Sequence, residues 1–271
     1  MNTNVAVGYK AMFADNHAST AGNVIIGNEA GYGGGGQHRF NTAVGYQALE
    51  ATGSNASDGN TCIGYRAGNG ITSGNNNTVI GFDAGKDTVV LQDGGGNVIV
   101  GVNSNTSATG SNNQIVMGND VSGSADSHFT FGNSTDDSDI EFGETSITAP
   151  SDGRYKEDVE TSTAGLSFVK DLRPVTYMWK PENELPEDHR SYNADSTERY
   201  HNDTVNHGFI AQEVKEVIDN HPEIKEGFNM WSEDIHDGRQ RIGEGALVPI
   251  LVTAIQELSQ QVEDLKKKVG E

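Results

Sequence analysis

Seven short phrases recur along the first 120 residues, and a chain that repeats itself at a near-constant interval is confined to folds that repeat as well. They are Asn4-Val-Ala-Val-Gly8, Asn23-Val-Ile-Ile-Gly27, Asn41-Thr-Ala-Val-Gly45, Asn60-Thr-Cys-Ile-Gly64, Asn77-Thr-Val-Ile-Gly81, Asn97-Val-Ile-Val-Gly101 and Gln114-Ile-Val-Met-Gly118. Their glycines stand 19, 18, 19, 17, 20 and 17 residues apart. Several copies continue with an aromatic residue and an alanine, as in Gly45-Tyr-Gln-Ala48, Gly64-Tyr-Arg-Ala67 and Gly81-Phe-Asp-Ala84. Each apolar stretch is too short for a helix and lies between Asn and Gly, both turn formers. The spacing therefore predicts a β-solenoid stem over residues 1–120, with a glycine wherever a corner needs positive φ or close chain approach. The variable Gly/Ser/Asn stretches, Gly33–Gly36 and Ser73–Asn76 among them, become loops along one edge.

A coil this thin buries little apolar area alone, so stacking, and packing of several chains about an axis, must complete its core. The single Cys62 permits no intrachain disulfide and reads as a small buried residue in a strand. Residues 121–150 are degenerate strands and a linker: Phe129-Thr-Phe-Gly132 and Ile140-Glu-Phe-Gly143 read as shortened strands. Between them Asp136, Asp137 and Asp139 supply the hard oxygen atoms that calcium prefers, but no EF-hand loop is present. They read as a solvated acidic turn, and no metal or cofactor is expected.

The formal charge of −21 argues against a nucleic-acid partner, which needs clustered Lys and Arg, and against an anionic membrane surface. No run of about 18 apolar residues is present to span a bilayer, and polar Asn2, Thr3 and Asn4 follow Met1 where a signal peptide would turn apolar. Composition, not charge, divides the chain. Residues 1–150 hold four basic and fourteen acidic side chains in a Gly/Asn/Ser/Thr background; residues 151–271 hold fourteen and twenty-five, with Trp179 and Trp231.

The change falls at Ala149-Pro150-Ser151-Asp152-Gly153-Arg154-Tyr155-Lys156. A serine hydroxyl becomes a useful nucleophile only if its proton is removed as it attacks. Lys156, five residues on, can take that proton if desolvation or a neighbouring cation lowers its pKa, and Arg154 is a candidate for that cation. Such a pair recurs by chance in many chains, so its context decides. Two polar stretches, Pro181–His207 and Asn220–Gly243, read as long excursions, the second interrupted by Phe228, Met230 and Trp231. His189, His201, His207, His221 and His236 lack the paired spacing of a zinc site and read as solvated. A final helix over about 246–269 places Val248, Leu251, Ile255, Leu258, Val262, Leu265 and Val269 at alternating intervals of three and four, a coiled-coil seam. Taken alone, β-branched residues at one seam position and Leu at the other lean towards a dimer. Pro249 falls near the helix start, where its missing N–H costs little.

The repeats resemble the Asn-x-Ala-Ile-Gly units of trimeric autotransporter adhesin heads and of phage fibre tips, which implies three parallel β-coils about one axis. Because the repeat opens at Asn4 with no module before it, Met1 reads as the start of an expression fragment of a longer fibre. The blocks Ser151-Asp152-Gly153-Arg154-Tyr155-Lys156, Leu172-Arg173-Pro174-Val175, Gly208-Phe-Ile-Ala-Gln-Glu-Val214 and Leu247-Val-Pro-Ile-Leu-Val-Thr-Ala-Ile-Gln-Glu-Leu258 resemble the self-cleaving chaperone domain of phage endosialidase tailspikes, the peptidase S74 group. That resemblance spans nearly all of residues 151–271. It implies a mainly β chain with an α+β C-terminal domain, assembled as a homotrimer through Leu251, Ile255, Leu258, Val262, Leu265 and Val269. Its chaperone would cut itself off once between Pro150 and Ser151, with Ser151 as nucleophile, Lys156 as base, and Asp152 and Arg154 in support. Pro150 stiffens the chain before that bond and restricts approach to its carbonyl. The implied setting is the tip of a virion tail fibre, assembled in the host cytoplasm, with a host-surface saccharide as receptor. Tyr32, His38, Arg39 and Phe40 are candidate contacts for that receptor. The alternative is a structural adhesin with a permanent, uncut C-terminal trimeriser. Glycan hydrolysis has little support, because the acids of residues 1–150 form no evident catalytic pair.

Overall fold

The computed structural model describes residues 3–270 except 14–18, 34–35, 51–56, 87–88, 135, 225–226 and 236–237. Gly34, Gly35, His236 and Met1 therefore lie outside the described residues. The chain divides into two units, Met1–Lys156 and Glu157–Glu271.

In the first unit every repeat phrase is a strand. β1 (Val5–Val7), β2 (Val24–Ile26), β3 (Thr42–Val44), β4 (Thr61–Ile63), β5 (Thr78–Ile80), β6 (Val98–Val102), β7 (Ile115–Asn119) and β8 (His128–Asn133) lie in sequence order, each parallel to the next. The pairing follows the repeat, so Ala43 faces Cys62, Cys62 faces Val79, and Val79 faces Ile99. Successive strand residues point to opposite faces. A three-residue strand thus sends its middle side chain inward, and Ile25, Ala43, Cys62, Val79, Ile99 and Val116 are buried. The alanine after each corner closes the coil from the other side: Ala30, Ala48, Ala67 and Ala84 are fully buried.

The repeating glycine is required twice over. Gly8, Gly27, Gly45, Gly64, Gly81, Gly101 and Gly118 have φ between +133° and +147°. A Cβ on any of them would stand 1.6–2.3 Å from the carbonyl oxygen of the corner glycine one coil further on. The repeating Asn does more than begin a turn. From Asn23 to Gln114 each backbone N–H donates to the side-chain oxygen of the preceding Asn, at 2.8–3.0 Å. Each Asn side-chain amide then donates to a backbone carbonyl, as in Asn60 to Gly74 and Asn97 to Ser111. These groups are at most 2% exposed from Asn23 onward, so the ladder satisfies polar atoms that water does not reach.

The region expected to degenerate keeps the pattern for one more coil. β8 pairs parallel with β7, matching Gly118 to Gly132. The expected acidic turn is instead a strand: β9 (Asp136–Glu141) runs antiparallel along β8, with Asp139 opposite Thr130. Hydrogen bonds explain why a strand accepts this sequence. The Asp139 carboxylate takes the hydroxyls of Ser124 (2.5 Å) and Thr130 (2.9 Å) and meets Nδ1 of His128 at 2.7 Å.

One outward row of the coils is apolar. Val7, Ile26, Ile63, Ile80 and Met117 occupy the third position of their strands, form one outward row with Val44 and Val100, and are 37–58% exposed. Tyr46, Tyr65 and Phe82 stack in succession at 5.3 and 4.8 Å between ring centres.

In the second unit, α1 (Leu166–Asp171) is followed by β10 (Val175–Tyr177) and its antiparallel partner β11 (Asn206–Gly208), then α2 (Ala211–Asn220). The hairpin β12 (Trp231–Glu233) and β13 (Gln240–Ile242) leads into α3 (Leu247–Val269). Phe168 and Met230 are fully buried among Val214, Ile218, Leu247 and Ile250. The stretch Asn220–Gly243 is therefore only partly an excursion, since Ile224, Phe228, Met230 and Trp231 pack into this core. In the other stretch, Trp179 meets Tyr200 and His201 edge to face, and a bridge joins Pro181 to Arg199.

Helix α3 presents two apolar faces. Leu247, Ile250 and Ala254 are buried, whereas Leu251, Ile255, Leu258, Val262, Leu265 and Val269 stand 41–77% exposed in the single chain. Pro249 is the third residue of the helix, inside the first turn. Gly270, left-handed at φ +83°, closes it behind three lysines, which suit the negative end of the helix dipole.

Candidate functional site

The segment from β9 to Lys156 lies wholly within the first unit. After β9 the chain turns at Phe142–Gly143, with Glu144 N–H donating to the Glu141 carbonyl at 3.0 Å. It then returns to form a two-way bridge. Thr148 N–H donates to the Asp139 carbonyl at 2.7 Å, and Asp139 N–H to the Thr148 carbonyl at 2.9 Å. Ala149 and Pro150 follow, exposed, and lead to Ser151.

Asp152 shapes what comes next. It caps a single 3-10 turn, Gly153–Tyr155, by accepting the Arg154 backbone N–H at 2.9 Å. Its other carboxylate oxygen holds the same residue's guanidinium, through Nε at 2.9 Å and Nη2 at 2.5 Å. These bonds from Arg154 hold the Asp152 carboxyl below the usual range. The turn reverses the chain, and Lys156 Nζ donates to Ser151 Oγ at 2.7 Å. All members of the group except half-buried Asp152 are exposed.

The geometry thus brings Ser151 and Lys156 within hydrogen-bond reach. It uses Arg154 differently from the expectation: the guanidinium is engaged by Asp152 and lies over the Tyr155 ring at 5.7 Å. The contribution of Arg154 is to lock the turn that aims Lys156. What the arrangement does is hold an amine on a hydroxyl one residue after a proline carbonyl.

The expected solvated histidines divide. His189 and His201 pack edge-on to Tyr200 and Trp179 respectively. His221 is buried, with Nδ1 2.8 Å from Glu223 and Nε2 2.9 Å from Asp171. The two carboxylates, Glu223 foremost, push its pKa up. Sequence reading missed this clamp because one carboxylate lies fifty residues upstream. It also missed Glu257, whose carboxylate accepts the Leu166 N–H at 3.0 Å and so joins α3 to the start of α1. Among the described residues no cluster of His, Cys, Asp or Glu has the makings of a metal site, and no helix is long and apolar enough to cross a membrane.

No curated protein and no solved structure matches the chain. One family does, and its match begins at the serine that Lys156 touches. Residues 151–221, from Ser151 to the clamped His221, match the family described as the chaperone of endosialidase, peptidase S74.

Proposed function

We propose that this chain is the distal part of a phage tail fibre or tailspike whose C-terminal domain aligns three copies and then detaches by cutting the Pro150–Ser151 bond. The single observation that carries the reading is the 2.7 Å contact of Lys156 with Ser151 at the first residue of a peptidase S74 match.

The chemistry balances within these residues. Neutral Lys156 takes the hydroxyl proton as Ser151 Oγ attacks the Pro150 carbonyl carbon. The C–N bond breaks, the proton passes from the lysine to the departing Ser151 amine, and Pro150 is left as an ester on Ser151. Water hydrolyses that ester, giving a Pro150 carboxylate and a Ser151 amine.

A lysine base needs to lose its solvation, and Lys156 is exposed in the single chain. Burial of the pair by assembly supplies what the isolated chain lacks, which orders the events as assembly first and cleavage second. Support for assembly comes from each unit separately. The solenoid leaves an outward row of Val, Ile and Met uncovered, and α3 leaves its seam uncovered. Folding such coils relies on contacts far apart in sequence and between chains, which form slowly, so holding chain ends together raises their effective concentration. The assembled tip would meet a saccharide of the host surface.

Pro150, which restricts approach to its own carbonyl, favours a second reading, an uncut and permanent trimeriser. Intact-mass measurement separates the two. Wild type is expected to yield fragments 1–150 and 151–271, and Ser151→Ala a single full-length chain. A single full-length wild-type species would overturn the cleavage.

A further inference from the structure

The bond assigned to cleavage is flanked by two fixed points. On its C-terminal side the Asp152-capped turn sets Lys156 on Ser151. On its N-terminal side stands the two-way bridge between Thr148 and Asp139, reinforced by Thr148 Oγ1 donating to the Asp139 carbonyl at 3.1 Å. Only Ala149, Pro150 and Ser151 lie between the anchors. Pro150 fixes its own φ and confines Ala149 to extended backbone, so few torsions remain free. The proline that hinders approach in a loose chain removes disorder in a tethered one.

The bridge exists only where β9 is in place. The Asp139 side chain is held by Ser124 from the preceding loop and by His128 and Thr130 of β8, and Thr130 is itself buried. Around the bridge, residues 141–150 are all exposed, and Thr148 is the bridging residue of that stretch.

We infer that Asp139 and Thr148 are positioning residues for the cut: the last strand of the stem presents the Pro150 carbonyl to Ser151 through the Thr148 bridge. This rests on the autoproteolytic reading above and adds to it a requirement that the final coil be folded. The role is one of orientation, since neither residue touches the reacting atoms, and orientation of reacting groups accounts for large factors in rate.

The test is the rate of appearance of the two fragments when the full chain refolds from denaturant. Thr148→Pro removes the bridging N–H at an exposed site, and Thr148→Val keeps both backbone hydrogen bonds. Thr148→Pro is expected to cut about tenfold more slowly, the loss of one bridging backbone hydrogen bond being of about that order. Thr148→Val should stay within about twofold of wild type, and both should retain the wild-type melting profile. If Thr148→Pro cuts at the wild-type rate, or Thr148→Val is slowed as much, the positioning role is overturned while cleavage stands. If no chain is cut, wild type included, both readings fall together.

Discussion

Gly81 shows how one atom constrains the stem. Its φ is +136°, and an added Cβ would lie 1.9 Å from the Gly101 carbonyl oxygen, which belongs to the backbone and has no room to retreat. Gly143 offers a comparison within the same unit: φ is +96°, but nothing lies within 4 Å of its Cβ direction. Gly143→Ala should cost about 1 kcal/mol, from backbone strain alone. Gly81→Ala adds a clash and should cost about 2–4 kcal/mol. Urea unfolding of the stem signal measures both, and equal midpoints would contradict the stacking of corner glycines. This constraint was legible in the sequence because the glycine recurs in every phrase. The Asn recurs as regularly, yet its function was not legible. A lone Asn beside an apolar stretch looks like a turn former, and only the stacked coils reveal that its side-chain oxygen meets the next backbone N–H.

At the scale of elements, the same distinction between local and distant information decides what could be read. Strands β1 to β7 follow from the phrase, and α3 follows from its three-and-four spacing, because neighbours in sequence are neighbours in the element. Strand β9 was read only at its end, Ile140-Glu141, since Asp136, Asp137 and Asp139 carry no strand signature, and partners on β8 and in the loop before it make the strand acceptable. Of the site, Ser151 and Lys156 were legible from spacing and context, whereas the tie between Arg154 and Asp152 required the turn itself. The clamp on His221 joins the last residue of α1, Asp171, to the end of α2, and has a consequence in pH. Its folded pKa lies above the ordinary 6.5. The charged imidazolium therefore contributes fully below about pH 6.5, and that contribution disappears as pH rises through the higher folded value. Thermal unfolding followed by Trp fluorescence should show the second unit losing stability from pH 6 upward past the folded pKa. In His221→Gln that dependence should flatten. An unchanged slope in the variant would remove His221 as its source.

For the whole molecule, the exposed seam of α3 makes the clearest demand. Leu258 is 46% exposed in the single chain, and a helix gains no stability from holding such a side chain in water. An aspartate there should leave the second unit folded, because the buried side of α3 is Leu247, Ile250 and Ala254. In an assembled seam it would place three like charges in an apolar interior, where unpaired charge is heavily penalised. Each chain already carries −21, so association works against repulsion that salt screens but does not abolish. Leu258→Asp is thus expected to sediment as a single chain at concentrations where wild type is expected to form the proposed trimer, with Ser259→Asp, off the seam, as the matched charge control. If cleavage waits for assembly, Leu258→Asp should also remain full length while Ser259→Asp is cut. A Leu258→Asp chain that stays single and is nevertheless cut at the wild-type rate would show that the pair at Ser151 and Lys156 needs no partner, and would reverse the proposed order of events.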